Sequence, residues 1–305
     1  MLKKIRKMIP MPIKKIIEEL IIVHGRIRLN YFRKKRHVSI ISREDSLALI
    51  IKSNKSVVRF GDGEFTLIRG KNIRFQSPDE KLSARLKEVL SDRTEVCLIG
   101  IPDMINMCFE DVPKEHYKYW IFHMNFNINK WFTYLSPDID YINSLVTRPY
   151  DAYAKKDESE RFFMLWKEVW RNRHVVLVEG EYTRFGINND LLNEASSIER
   201  VICPAEDAFE VYEDIKSNVL TLDKSKLILI SLGPTATVLA YDLAKAGFHA
   251  IDIGHLDIEY EWFLRKADGK LKIDYKYTSE ADGGNKNIVD VDSETYNSQI
   301  IKKIL

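Results

Sequence analysis

The sequence predicts an α/β protein, with a mostly parallel sheet flanked by helices and a basic helical extension in front of it. Three observations lead there. Short β-branched runs alternate with amphipathic stretches of helix length, the pattern of βαβ units. Two of the apolar runs end in glycine turns crowded with carboxylates, and open α/β sheets bind ligands at such strand ends. The charge is uneven as well: residues 1–36 hold twelve Lys or Arg against Glu18 and Glu19, a net of +10, and the remainder carries −8.

The extension, residues 1–38, interleaves Ile5, Met8, Ile9, Met11, Ile13, Ile16, Ile17, Leu20, Ile21 and Ile22 with lysines. This reads as an amphipathic helix broken near Pro10 and Pro12. Such a segment suits an anionic membrane surface, or a helix packed on its own domain or on a second subunit of a homo-oligomer.

Residues 39–305 read as one Rossmann-like domain. Residues 43–52 are helical and 56–60 form the first strand. A helix over 78–91 has Pro78 near its start and Leu82, Leu86, Val89 and Leu90 on one face, and 95–99 is the next strand. Residues 114–134 carry eight aromatics, which at helical spacing read as core, although aromatic faces also stack on sugars. Later strands are 174–178, 200–203, 226–231 and 249–253, with helices starting at Asp207 and Thr235 between the last three. Asp282-Gly283-Gly284-Asn285 is a loop before a terminal helix or strand.

The first strand runs into Gly61-Asp62-Gly63-Glu64. Gly61 and Gly63 permit a tight turn. Asp62 and Glu64, one residue apart on that loop, suit a hard divalent cation, Mn²⁺ or Mg²⁺, whose remaining positions go to water or phosphate oxygens. The bland reading is a solvated acidic turn. The second motif, Gly254-His255-Leu256-Asp257-Ile258-Glu259-Tyr260-Glu261-Trp262, follows the strand 249–253. If the segment is extended, alternation puts His255, Asp257, Glu259 and Glu261 on one side. A helical turn instead separates Asp257 and Glu261 from Glu259. Four such groups among apolar residues are costly to crowd together without a cation or a substrate.

Other positions suit a nucleotide. The strand 227–232 leads into Gly233-Pro234-Thr235 and an apolar helix. A helix amino terminus favours a diphosphate and Gly233 permits close approach, while Pro234 and Thr235 equally suit simple capping. Arg59 and Arg184 are able to pair bidentately with phosphate oxygens. Asn189 and Asp190 read either as nucleotide contacts or as a helix cap.

Together these stretches resemble the bacterial glycosyltransferases of the GT-D fold, also catalogued as domain of unknown function 1792. The shared pattern begins with the strand-Asp-x-Glu motif at Asp62 and Glu64. It continues with Glu179-Gly180-Glu181 followed by Arg184, Gly186, Asn189 and Asp190, then Cys203-Pro204-Ala205 with Ala208-Phe209. Leu232-Gly233-Pro234-Thr235-Ala236-Thr237-Val238-Leu239 and the segment 254–262 complete it. Asp207 stands where that family is expected to carry Asn.

The resemblance implies a Rossmann-like, metal-dependent enzyme that moves a hexose from a nucleotide sugar, a UDP-sugar, to a cell-surface glycan or glycoprotein. His255, directly off its strand, is then a metal or phosphate contact near the diphosphate. Glu261, six residues further out, is the base that takes the acceptor's proton, with Asp257 as the alternative. Tyr260 and Trp262 either line the acceptor's entrance or lie in the core. Two other classes share part of the pattern. A Rossmann-type methyltransferase needs no metal and leaves the cluster at 255–261 unexplained. A non-catalytic membrane-surface adaptor rests on the basic extension alone.

At 305 residues and 45% hydrophobic content the chain is able to bury a sizeable core. It has no apolar run of membrane-spanning length, and its start lacks an apolar core ending in a small-residue cleavage site. A cytoplasmic protein, at most peripheral on the inner face of the cell membrane, is therefore expected. Cys97, Cys108 and Cys203 lack metal-ligand spacing and read as free thiols in a reducing compartment. No aromatic–basic stacking platform accompanies the extension, so nucleic acid is not an expected partner.

Overall fold

A computed structural model describes residues 10–93, 95–103, 111–291 and 293–305; Cys108 and the first nine residues of the extension lie outside the described residues. The chain runs α1 (Met11–Lys35), β1 (Ser39–Ile40), α2 (Arg43–Ser53), β2 (Ser56–Arg59), α3 (Asp62–Ile68), α4 (Glu80–Ser91) and β3 (Cys97–Ile101). It continues through α5 (Lys114–Tyr134), β4 (Asp140–Asn143), α6 (Ser159–Trp170), β5 (His174–Gly180) and β6 (Ser197–Cys203). The last elements are α7 (Tyr212–Val219), β7 (Leu227–Ser231), α8 (Pro234–Lys245), β8 (His249–Asp252), α9 (Leu256–Leu264), α10 (Glu294–Gln299) and β9 (Ile300–Lys303). Among the described residues these strands form one sheet in the order β1-β4-β3-β2-β8-β7-β5-β6-β9. Every strand pairing in it is parallel.

The apolar strand runs follow from burial on both faces. Val58, Val176, Val178, Ile228 and Ile230 face one layer, where α3, α4, α5 and α8 pack. Their neighbours Val57, Val175, Leu177, Leu227 and Leu229 face the other, with α2, α6 and α9. The helix after β2 therefore leaves on one face (Phe65, Leu67) and the helix after β8 on the other (Leu256, Ile258). Because β2 and β8 are adjacent, a crevice opens between their carboxyl ends. That crevice is the switch point where such folds hold ligands.

Local chemistry explains several boundaries. Asp79 caps α4, its Oδ1 accepting the Leu82 N–H at 2.8 Å, so Pro78 lies just outside the helix. Glu95 sits at φ +56°, which delays β3 to Cys97. Pro10 and Pro12 do not break a helix. Pro10 is the residue before α1 and Pro12 lies in its first turn, where a missing N–H costs nothing. The extension is docked on α5: a Cβ on Gly25 would lie 2.8 Å from Ile121 Cγ2, so glycine lets the two helices touch. His24 Nδ1 bonds Asn125 Oδ1, Arg28 reaches the Asn125 carbonyl and Arg36 the Phe132 carbonyl. Cys97 and Cys203 are buried free thiols. No described helix is long and apolar enough to cross a membrane.

Candidate active site

The two carboxylate motifs meet at the β2–β8 crevice. Its floor is an ion pair between Arg59 and the buried Asp252. Arg59 donates from Nη2 to Asp252 Oδ1 at 2.7 Å, from Nε to the Asp252 carbonyl at 2.9 Å and from Nη1 to Thr147 Oγ1 at 2.7 Å. Thr237 donates to the Arg59 carbonyl and to Asp252 Oδ2. The guanidinium expected to grip phosphate is thus spent on tying β2 to β8.

Above this floor, Gly61-Asp62-Gly63-Glu64 is not a loop. The helix α3 starts at Asp62, and Glu64 reaches back to accept the Gly61 N–H at 2.6 Å, a capping arrangement. Burial, with Asp252 close by, raises the Glu64 carboxyl to a pKa of about 7. Asp62 accepts the Tyr119 hydroxyl of α5 through Oδ2. Among the described residues no set of three or more His, Cys, Asp or Glu side chains gathers to hold a metal ion. Asp62 and Glu64 stand as a pair of carboxylates at one strand end.

The second motif is helical, the alternative that separates its acids. Asp257 and Glu261, one turn apart on α9, share Lys276: its Nζ lies 2.7 Å from Asp257 Oδ2 and 2.9 Å from Glu261 Oε1. Asn189 Nδ2 donates to both at 2.8 Å, and the Gly186 N–H donates to Asp257 Oδ1. Arg265 and the Tyr275 hydroxyl complete the shell of Glu261. Burial pushes the Glu261 carboxyl up but Lys276 pulls it further down, so it stays ionised. The two residues expected to act as base, and Asn189 with them, are parts of a buried network with both oxygens of each carboxylate engaged. Asp190 pairs with Lys167 at 2.6 Å and takes the Tyr260 hydroxyl, while Asn189 Oδ1 accepts the Leu191 N–H in a turn rather than capping a helix. Arg184, expected on phosphate, is buried and donates to the Tyr275 and Val289 carbonyls and to Asp290. Trp262 is core, bonded through Nε1 to the Leu271 carbonyl.

His255 does reach the crevice, beside Arg148 and Glu280. Nδ1 lies 3.4 Å from Arg148 Nη2 and 3.6 Å from Glu280 Oε1, and Nε2 lies 3.4 Å from Ser279 Oγ. Although the side chain is one-third exposed, desolvation of the ring and the charge of Arg148 lower its pKa to about 3, so the ring is neutral. Arg148 also pairs with Glu280 and lies 3.6 Å from Glu259 Oε1; Lys270 pairs with Glu280 and lies 3.7 Å from Asp151. Glu259 accepts the Tyr150 and Asp151 N–H groups through Oε2, and its Oε1 makes no hydrogen bond among the described residues. Sequence reasoning missed Arg148, Lys270 and Glu280. They come from segments of no motif, Arg148 more than a hundred residues before Lys270 and Glu280, and only a signal of long-range pairing would have found them.

At the start of α8, Gly233 has φ +53°, and a Cβ there would lie 2.7 Å from the Phe75 ring. The close approach that Gly233 permits is used by the protein itself. Asp207, also left-handed at φ +52°, holds that loop: its N–H donates to the Phe75 carbonyl and its Oδ1 accepts the Ser77 N–H at 2.5 Å. Thr235 Oγ1 is buried there without a hydrogen-bond partner among the described residues.

A doubly wound parallel sheet with charged side chains gathered at its switch point is the layout of an α/β enzyme whose site lies between two strand ends. The family described as glycosyltransferase GT-D fold matches residues 57–281, and the chain belongs to that family. The probable glycosyl transferase Gly of Streptococcus gordonii is 36% identical over 281 residues, which cover 89% of this chain and 39% of that protein. Glycosyltransferase GlyD of Streptococcus pneumoniae serotype 4 is 36% identical over 263 residues, 86% of this chain and 32% of its own length. The chain therefore spans well under half of the curated relatives it matches. A solved structure, a new glycosyltransferase (DUF1792) from Streptococcus sanguinis, superposes with a TM-score of 0.83 at 35% identity, covering 88% of this chain and 100% of that one. A further structure, of the highly conserved domain of unknown function 1792 with its distinct glycosyltransferase fold, gives 0.83 at 35%, covering 88% and 96%.

Proposed function

We propose that this chain transfers a hexose from a UDP-sugar to a glycan or glycoprotein acceptor, with Mn²⁺ or Mg²⁺ at Asp62 and Glu64. The observation that carries the reading is the gathering of charged groups at the β2–β8 crevice. Asp62 and Glu64 stand at the end of β2, and Arg148 and Lys270, held in place by Glu280, Glu259 and Asp151, stand with neutral His255 past the end of β8. A diphosphate laid between them meets cationic donors at one end and needs a cation at the other.

The acidic pair fits such a cation. Glu64 is a raised-pKa carboxyl, and Arg59, the guanidinium acting on it, is already paired with Asp252. When bound, the ion neutralises charge on the leaving diphosphate. With Arg148 beside its Nδ1, we assign His255 to the phosphate or the reacting hydroxyl. Asp257 and Glu261 are positioning residues: through Lys276 and Asn189 they anchor α9, whose preceding residue is His255. Gly61 and Gly63 keep the turn into α3 clear of side chains. Family membership takes the place of the methyltransferase alternative.

Calorimetric titration of UDP with and without Mn²⁺ tests the core of this. Metal-dependent binding that Asp62→Ala abolishes is expected. Binding that survives both a chelator and Asp62→Ala would overturn the assignment.

A further inference from the structure

The outward side of α1 carries a second apolar stripe. Ile13, Ile16, Leu20, Val23, Ile27 and Tyr31 recur every three or four residues and so share one side of the helix. Ile16, Leu20, Val23 and Ile27 are 57, 63, 53 and 62% exposed. This side lies opposite Gly25 and Leu29, which pack into the fold. At 1.5 Å per residue the stripe is roughly 27 Å long. From Leu20 the apolar surface continues across a groove of about 360 Å³ to Phe126 on α5. Phe126 and Phe122, ring centroids 5.0 Å apart, are both exposed. One turn earlier on the same side, half-exposed Tyr119 bonds Asp62. The surface thus ends at the candidate active site.

Contiguous exposed apolar surface of this size marks an interaction site. We propose that its occupant is an anionic lipid bilayer. Charge selects this occupant. The helix carries Lys14, Lys15, Arg26, Arg28, Arg33, Lys34 and Lys35 against Glu18 and Glu19, and Lys15, Lys34 and Lys35 are exposed. Apolar residues along one side with cations beside them suit the headgroup boundary of acidic lipid. A second copy of the chain would bring two strongly cationic helices together instead, which is unfavourable. Seated this way, the crevice opens at the bilayer surface. That last consequence rests on the proposed function; the binding does not.

The test is flotation of the full chain with vesicles of phosphatidylcholine, alone or mixed with phosphatidylglycerol. The expected result is binding to the mixed vesicles only, weakened by salt. Leu20→Glu with Ile27→Glu should lose binding by at least tenfold, and Lys34→Gln with Lys35→Gln by roughly tenfold or more. All four positions are exposed, and circular dichroism confirms folding. Equal binding to neutral vesicles, or no effect of the stripe variant, would overturn the proposal. So would a dimer in light scattering that Leu20→Glu with Ile27→Glu dissociates, in the absence of vesicle binding. UDP titration of the same samples keeps the two readings apart: lost vesicle binding with intact UDP binding sinks only this one.

Discussion

Gly254 is a glycine because Arg59 occupies the space its side chain would need. A Cβ at Gly254 would lie 2.0 Å from Arg59 Nη2, and the residue sits at φ +52°. The turn that opens the second motif is therefore shaped by the ion pair that closes the first. Gly254→Ala should cost about 1–3 kcal/mol in backbone strain, and several more if Arg59 is displaced and leaves Asp252 buried without its partner. Urea denaturation would read this as a lower midpoint. A midpoint close to wild type would mean that Arg59 has room to move.

Glu261 and His255 should separate by phenotype. Breaking a buried charge network leaves the remaining charges uncompensated, so Glu261→Gln is expected to lose on the order of 3 kcal/mol of stability. His255 has only long contacts and is one-third exposed in its side chain. His255→Asn should therefore keep the melting temperature and lose transfer. If Glu261→Gln is stable and inactive, Glu261 is a base after all.

Lys270 and Arg184 make a second contrast, in ligand affinity. Lys270 stands on the rim of the crevice, whereas the Arg184 guanidinium is buried against carbonyls of the carboxyl-terminal segment. A lost charge-assisted hydrogen bond is worth about 1.5 kcal/mol or more, so Lys270→Gln should weaken UDP roughly tenfold. Arg184→Gln should lower the melting temperature and leave UDP affinity near wild type. The reverse pattern in calorimetry would return Arg184 to the phosphate.

Stability should fall as pH rises through the range of the buried acids. Burial pushes Glu259 up to about 7 from an ordinary 4.5, with Arg148 pulling part of the way back. Between those values the folded chain keeps a proton that the unfolded chain has released, so each step up in pH favours unfolding. Above about pH 7 the full loss persists. Glu64 acts in the same direction. Glu259→Gln should flatten this slope and exceed wild type at pH 8 by about 1–3 kcal/mol. A melting curve series with an unchanged slope would show that Glu259 is ionised throughout.

The sequence by itself determined the sheet-and-helix alternation and put the two carboxylate motifs at strand ends. Both follow from patterns that are local: short continuous apolar runs along strands buried on both faces, and a period of 3.6 along the helices. Val57, Val58 and the run 227–231 announce strands wherever they end up in space, and Gly61 and Gly254 mark the turns that follow. Tertiary structure alone decided which charges are free. Arg59 and Arg184 look alike as phosphate ligands until Asp252 and the carbonyls of Tyr275 and Val289 take them up. Glu261 and Glu259 stand two residues apart on α9. The helix turns one toward Lys276 and the other toward Arg148. The same long-range packing brought Arg148, Lys270 and Glu280 together from segments without a motif. Backbone periodicity is written in neighbouring residues, but the partner of a charge is chosen by whatever the fold brings within a few ångströms of it.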